Sequence, residues 1–326
     1  MAAAWAKVAV GGLATGALVA TLGTLGARAA ARSIRSNPDP YPWDAVRREP
    51  VGEELAVDRP DGTRLHVVVA GDGPTVVLAH GFAVTSVEWS IVWDRLLAAG
   101  YRVVAFDQRG HGRSTIGADG IGSLPMAEDY LAVLEAVDAR DAVLVGHSMG
   151  GFLALRGVLD VPGLRDRLSG LVLFSTFAGD VLRDAPQNQL QIPLLQRGIL
   201  QRLAASDTLG TLFGASVCGD TPSPAMVDVF RETFLAQDHQ ALLPILAAFA
   251  EEDRYDRLGE IDLPTVVVCG RSDRTTPPQH SERLAAGIPG ARAEWVDGKG
   301  HMLNWESPES LVAAVVSLSA LTTPTE

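Results

Sequence analysis

Short apolar runs alternate along this chain with longer segments in which apolar residues recur every three or four positions. Glu53–Arg59 and Thr63–Ala70, separated by Pro60-Asp61-Gly62, predict an antiparallel β-hairpin. Runs rich in β-branched residues then predict strands near 75–79, 101–106, 142–146, 170–175, 264–269 and 292–296. Amphipathic segments predict helices near 88–98, 124–138, 149–159, 278–287 and 308–319. Strands and helices that alternate through short loops make an α/β protein with a mostly parallel central sheet covered on both faces. The rhythm breaks between 177 and 257, a leucine-rich stretch interrupted by Pro186, Pro193, Pro222, Pro224 and Pro244. That stretch predicts several short helices inserted after the sixth strand. The expected organisation is an N-terminal segment and linker over 1–50, a core over 51–176 and 258–326, and the helical insert over 177–257.

The most informative five residues are Gly146-His147-Ser148-Met149-Gly150, which follow the apolar run Asp141–Val145 and precede a helix-like segment. A buried strand, a turn of small residues with serine at its apex, and then a helix is the setting of a nucleophile elbow. The turn is so sharp that side chains two residues before and after the serine would clash, so glycine stands at both places. A serine hydroxyl needs a general base, and the base needs an orienting acid. Asp273 follows the strand-like run Pro264–Gly270, and His301 follows the alternating run Ala291–Val296. Residues just past the carboxyl ends of parallel strands converge on one edge of the sheet, so distant positions can meet there. After Thr75–Ala79 comes His80-Gly81-Phe82, a turn that offers the Phe82 backbone N–H beside that of Met149 as an oxyanion hole.

The order Ser148, Asp273, His301 resembles that of the α/β-hydrolase superfamily. The combined motifs resemble its cap-bearing serine esterase, lipase and haloperoxidase-like branch. The pieces that carry the likeness are His80-Gly81-Phe82, Asp107–Ser114, Gly146–Gly150, Gly270–Asp273, and Gly300-His301-Met302 with Glu306–Glu309 after it. The likeness covers about residues 55–320 apart from the insert, and implies the fold, a serine nucleophile and a cap over the active site.

Composition narrows the function further. The chain has 326 residues, 47% hydrophobic and 20% charged, enough for one large globular domain with a subdomain. A net charge of −12 argues against nucleic acid and against docking on an acidic membrane surface. Two cysteines make no disulfide framework, and no metal-ligand spacing, phosphate loop or dinucleotide fingerprint is present, so no cofactor or metal is expected. The twenty residues Val8 to Ala27 carry no charge but hold five glycines and three threonines. Three readings stay open for them: a membrane anchor, a secretory signal ending near Ala27-Arg28-Ala29, or a loosely ordered cytoplasmic extension. Arg28, Arg32 and Arg35 outnumber Lys7 and favour a cytoplasmic catalytic domain if the run is an anchor. Localisation is therefore membrane-associated or exported, and Asn37–Pro42 reads as a stiff polar linker.

Rivals exist for two triad positions. Asp180, after the preceding strand, competes with Asp273 as the acid. His80 and His147 sit in turns, His66 in the hairpin and His111 in the Asp107–Ser114 loop, while His239 and His280 lack strand context. The Asp107–Ser114 segment reads as scaffold despite its chemical side chains. Phe82, Trp89, Met149 and Met302 are candidates to line an acyl pocket, with core packing as the plain alternative. The leading function is hydrolysis of small-molecule carboxylic esters, medium-chain acyl or monoglyceride-like. The same triad also suits a carbon–carbon bond hydrolase, an amidase or a cofactor-free perhydrolase with haloperoxidase activity. A non-catalytic binding member of the fold is the third class.

Overall fold

The computed structural model describes residues 23–184 and 192–322. Among them eight strands form one sheet: β1 (Glu53–Asp58), β2 (Arg64–Ala70), β3 (Thr75–Ala79), β4 (Arg102–Phe106), β5 (Ala142–His147), β6 (Leu168–Phe174), β7 (Thr265–Gly270) and β8 (Arg292–Val296). Their order is β1-β2-β4-β3-β5-β6-β7-β8. β1 and β2 pair antiparallel, as do β2 and β4, and the later neighbours are parallel.

Side chains alternate across each strand, and here both faces are buried. Val76, Leu78, Val103, Ala105, Val143 and Val145 share one apolar cluster, with Trp93 and Leu96 of α3 (Ser90–Ala98) and Leu311 and Leu318 of α13 (Pro308–Thr322). Val77, Ala79, Val104, Phe106 and Leu144 face the other side. There they meet α4 (Ser123–Ala136), α5 (Met149–Asp160) and α12 (Pro278–Gly287) through Tyr130, Phe152 and Leu284. Burial on both faces is why β3 and β5 read as unbroken apolar runs. Each fully buried valine or leucine contributes about 1.5–3 kcal/mol of transfer free energy, which makes this double-sided core the main source of stability.

Between β6 and β7 lie α6 (Val181–Asp184), α7 (192–196), α8 (Ile199–Ala205), α9 (Asp207–Ala215), α10 (Pro224–Leu235) and α11 (His239–Glu251). Local chemistry starts these helices. Ser206 accepts the Leu209 N–H (3.3 Å) at the start of α9, and Ser223 accepts the Met226 N–H (3.3 Å) at the start of α10. Pro224 stands in the first turn of α10, where a missing N–H costs nothing. Asp238 accepts the N–H groups of Gln240 and Ala241 (3.1 and 3.2 Å) to open α11. The cap helices share a third cluster in which Val227, Phe230 and Phe234 meet Val84, Met302 and Trp305 of the core.

The amino-terminal region is tied to the insert. Asn37–Pro42, which reads as a stiff polar linker, makes side-chain contacts with the helical insert. Asn37 Nδ2 donates to Pro222 O (2.9 Å), and Asp39 Oδ1 accepts the Ala225 N–H at the start of α10 (2.8 Å). Arg35, on α1 (23–35), pairs with Asp228, while Val46 of α2 (Trp43–Arg47) is buried in the cap cluster. The open first turn of α10 needs an acceptor and Asp39 supplies one, so the short polar stretch docks. The anchor and signal readings of Val8–Ala27 fall for the most part outside the described residues. Among the described residues no helix is long and apolar enough to cross a membrane.

Candidate active site

Ser148 stands between β5 and α5 with φ 50° and ψ −116°, a strained conformation for a residue with a side chain. The surrounding packing enforces it. A Cβ on Gly146 would meet Gly151 Cα at 2.6 Å, and one on Gly150 would meet Ala79 O at 2.1 Å. Both glycines therefore permit backbone approaches that no other residue allows. The Ser148 N–H donates to Phe174 O (3.2 Å), and Ser148 O accepts the Thr176 hydroxyl at 2.6 Å. The serine is only 7% exposed.

Asp273 sits in the turn after β7, and its Oδ2 accepts His301 Nδ1 at 2.9 Å. The other oxygen accepts the N–H groups of Thr275 and Thr276 (2.8 and 3.0 Å), and the Thr276 hydroxyl bonds Oδ2 at 2.9 Å. Burial alone pushes the Asp273 carboxyl up. The adjacent His301 charge and the hydrogen bonds from His301 and Thr276 outweigh it and hold the group below the usual carboxylate range. With Nδ1 engaged, Nε2 is the other nitrogen of the His301 ring. Asp180, the rival acid, pairs instead with Arg183 and, at 3.6 Å, with Arg283.

The loop that carries His301 is fastened to the cap. The His301 N–H donates to Val217 O (2.9 Å). The Glu306 carboxylate accepts the N–H groups of Gly219 (2.7 Å) and Gly300 (2.8 Å), one from each side. In the turn after β3, Gly81 N–H donates to Glu88 Oε1 and Ala83 N–H to His111 Nε2, each at 3.2 Å. The Phe82 N–H lies between these two. Met149 is the first residue of α5, so its N–H has no acceptor inside the helix.

Ser148 and His301 line one cleft of about 140 Å³, walled by Phe82, Phe177, Phe213, Phe234 and Leu246 among others. Its polar lining consists of serine, threonine and histidine. No Asp, Glu, Lys or Arg lines it among the described residues. Of the pocket candidates, Phe82 and Met302 border the cleft. Trp89 and Met149 are instead fully buried in the core, Trp89 edge-on to Phe174 at 5.6 Å. Side chains of Asp107–Ser114 bind backbone and a buried carboxylate. Asp107 accepts the N–H groups of Ser86 and Arg113 (both 3.0 Å), and Arg109 binds both oxygens of Asp129 at 2.9 Å. Among the described residues no cluster of three His, Cys, Asp or Glu is arranged to hold a metal.

Sequence reasoning missed Thr176, Glu88, Asn304 and the strut role of Glu306. Glu88 carried one signal, an acid beside Trp89 in an otherwise apolar stretch. Nothing local marked Thr176.

This sheet order, the strained turn at Ser148 after β5 and the Asp273–His301 hydrogen bond between the turns after β7 and β8 point to one class. The chain belongs to the alpha/beta hydrolase fold family, whose model matches residues 74–308. It is 31% identical over 251 residues to a non-heme chloroperoxidase of Kitasatospora aureofaciens, covering 74% of this chain and 90% of that protein. It is also 31% identical over 290 residues to a 2-hydroxy-6-oxononadienedioate/2-hydroxy-6-oxononatrienedioate hydrolase of Paraburkholderia xenovorans strain LB400, covering 85% and 98%. Among solved structures, an esterase from Exiguobacterium antarcticum superposes with a TM-score of 0.73 at 25% identity, covering 82% of this chain and 98% of that one.

Proposed function

We propose that this protein hydrolyses carboxylic esters with medium-length apolar acyl groups, monoglyceride-like esters included, through an acyl-serine intermediate. Ser148 Oγ attacks the ester carbonyl while His301 Nε2 takes its proton. Asp273 accepts from Nδ1, fixes the tautomer and stabilises the imidazolium. The Phe82 and Met149 N–H groups receive the oxyanion, and one such donor is typically worth about 3–4 kcal/mol. The alcohol leaves with the proton from His301, and water activated by the same imidazole releases the acid. The division of labour follows: residues 51–176 and 258–326 carry the chemistry, and 177–257 set which acyl group enters.

One observation carries the choice of substrate, the uncharged and largely aromatic and aliphatic lining of the cleft. Each methylene buried there is worth about 0.8 kcal/mol, so affinity should rise with chain length until the cleft is full. A dicarboxylate, the kind of substrate in the name of the Paraburkholderia relative, would bury a charge with no cation among the described lining residues to meet it. A panel of p-nitrophenyl esters from acetate to palmitate tests the reading. The expected kcat/KM climbs to a maximum at intermediate length. A profile that falls from acetate onward would remove the apolar-acyl assignment.

A second reading, peroxide-dependent halogenation, is favoured by the identity to the Kitasatospora chloroperoxidase. A halogenation assay with peroxide and a short carboxylic acid, run beside the ester panel, separates the two. The apolar cleft and the uncharged run Val8–Ala27 also support attachment to a membrane, where such esters partition. Fractionation of cells that express the full chain tests this, with salt-resistant sedimentation expected.

A further inference from the structure

A fully buried carboxyl group that the triad does not use lies behind the active site. Glu88 Oε1 accepts the Gly81 N–H (3.2 Å), and Oε2 lies 2.9 Å from His147 Nδ1. The other nitrogen of that imidazole, Nε2, faces the backbone carbonyl of His301 at 3.1 Å. Asn304 Nδ2 donates to the main-chain oxygen of Glu88 at 2.5 Å, so residue 88 reaches the base loop by two routes. The His147 ring is stacked on Phe174 (4.5 Å, 8°), whose carbonyl accepts the N–H of Ser148.

The hydrogen-bond roles follow from which atoms can donate. A carbonyl only accepts, so His147 Nε2 must carry a proton. If the imidazole is neutral, Nδ1 is then an acceptor and the proton between it and Glu88 belongs to the carboxyl. The alternative, carboxylate facing imidazolium, buries two charges. It also sets a cation with its ring 4.7 Å from that of His301, the group that must itself become cationic during turnover.

We propose that Glu88 is a positioning residue held as a neutral acid, its proton directed at His147 Nδ1. In that state it ties the Gly81 turn and the strand end before Ser148 to the carbonyl of the base, His301. Three titratable groups surround it: His80 from the turn after β3, His147 from the end of β5, and His301 from the loop after β8. Burial pushes the Glu88 carboxyl up to about 8 despite the downward pull of His80, Gly81 and His301, and burial drives His147 well below its ordinary value. Both shifts favour the neutral pair at neutral pH.

Three measurements test this, and only the kinetic one depends on the ester-hydrolase reading. The ¹⁵N NMR signals of His147, assigned by their loss in His147→Asn, should report a neutral ring protonated at Nε2 at pH 7. An imidazolium or an Nδ1–H ring would overturn the proposal. In ester turnover, Glu88→Gln can donate to Nδ1 and accept from Gly81, so it should rescue kcat to within about threefold with an unchanged pH profile. Glu88→Leu should lose kcat about tenfold or more at nearly constant KM, the scale of one lost buried hydrogen bond. A glutamine variant as poor as the leucine variant, or a leucine variant equal to the parent, would contradict it. The third measurement covers a leucine variant that does not fold. The unfolded chain releases the Glu88 proton near 4.5 but the folded protein retains it to about 8, so parent stability falls with pH across that window. The Tm of Glu88→Gln should therefore gain on the parent between pH 5 and 8, and a pH-independent difference would count against the neutral acid.

Discussion

The strand-end region around Ser148 and the helical insert that lines the same cleft are built by different means. At the elbow the constraint is backbone against backbone: Gly150 has no room for a Cβ beside Ala79 O, and Thr176 pins the Ser148 carbonyl. In the cap the constraint is side chain against side chain, with Phe213 packed on Phe230 (5.7 Å) and Phe234 (5.0 Å). Backbone contacts tolerate almost no substitution, whereas aromatic contacts can be repacked at modest cost. The proposed function thus places chemistry on the rigid side and selectivity on the adaptable side.

The comparison can be broken first from the rigid side. Asp273→Asn should lower kcat roughly 10⁴-fold, the loss the same change causes in serine proteases, because His301 would be left in the wrong tautomer. Asp180→Asn, which disturbs only the arginine pairs, should cost little; steady-state ester kinetics on both variants decide it. The same substitution has a pH signature. The Asp273 carboxyl is held below its ordinary value, so its contribution to stability is complete above the unfolded value of 3.8 and is lost as pH falls through the folded one. Acid unfolding of parent and variant should converge at low pH.

An intermediate effect is expected from the adaptable side. Phe213→Ala should move the preferred acyl length upward and change relative kcat/KM between butyrate and decanoate about tenfold. That is the range of pocket-volume discrimination, and the fold should survive it. An unchanged chain-length profile would mean the cap does not set selectivity. The smallest effect concerns the amino-terminal strap. Asp39→Ala removes the acceptor for Ala225 N–H and should lower stability by about 1 kcal/mol, read by denaturant unfolding, with ester kinetics unaltered.

What was legible in the sequence divides along the same line. The strands, the core helices and the turns that bear Ser148, Asp273 and His301 lie close to where periodicity and glycine spacing put them, because local rules govern them. The meeting of Asp273 with His301 across 28 residues was inferable from strand order, since parallel strands end on one edge. The cap was legible only as short helices, because its inward faces depend on tertiary partners. Docking of Asn37–Pro42 was hidden for a different reason. A Pro-rich polar segment reads as a spacer until the open first turn of α10 is known to lie beside it. Glu88 was legible only as an acid beside Trp89, since its burial follows from three turns that converge from β3, β5 and β8.

The most direct test of the whole account is where the acyl group goes. The full-length protein treated with a fluorophosphonate, or stopped during turnover of a p-nitrophenyl ester, should gain the mass of one phosphonyl or acyl group. Peptide mapping should locate that group on Ser148, and Ser148→Ala should take up none while keeping its Tm. An adduct on another residue, or labelling that persists in Ser148→Ala, would contradict the assignment of Ser148 as the nucleophile.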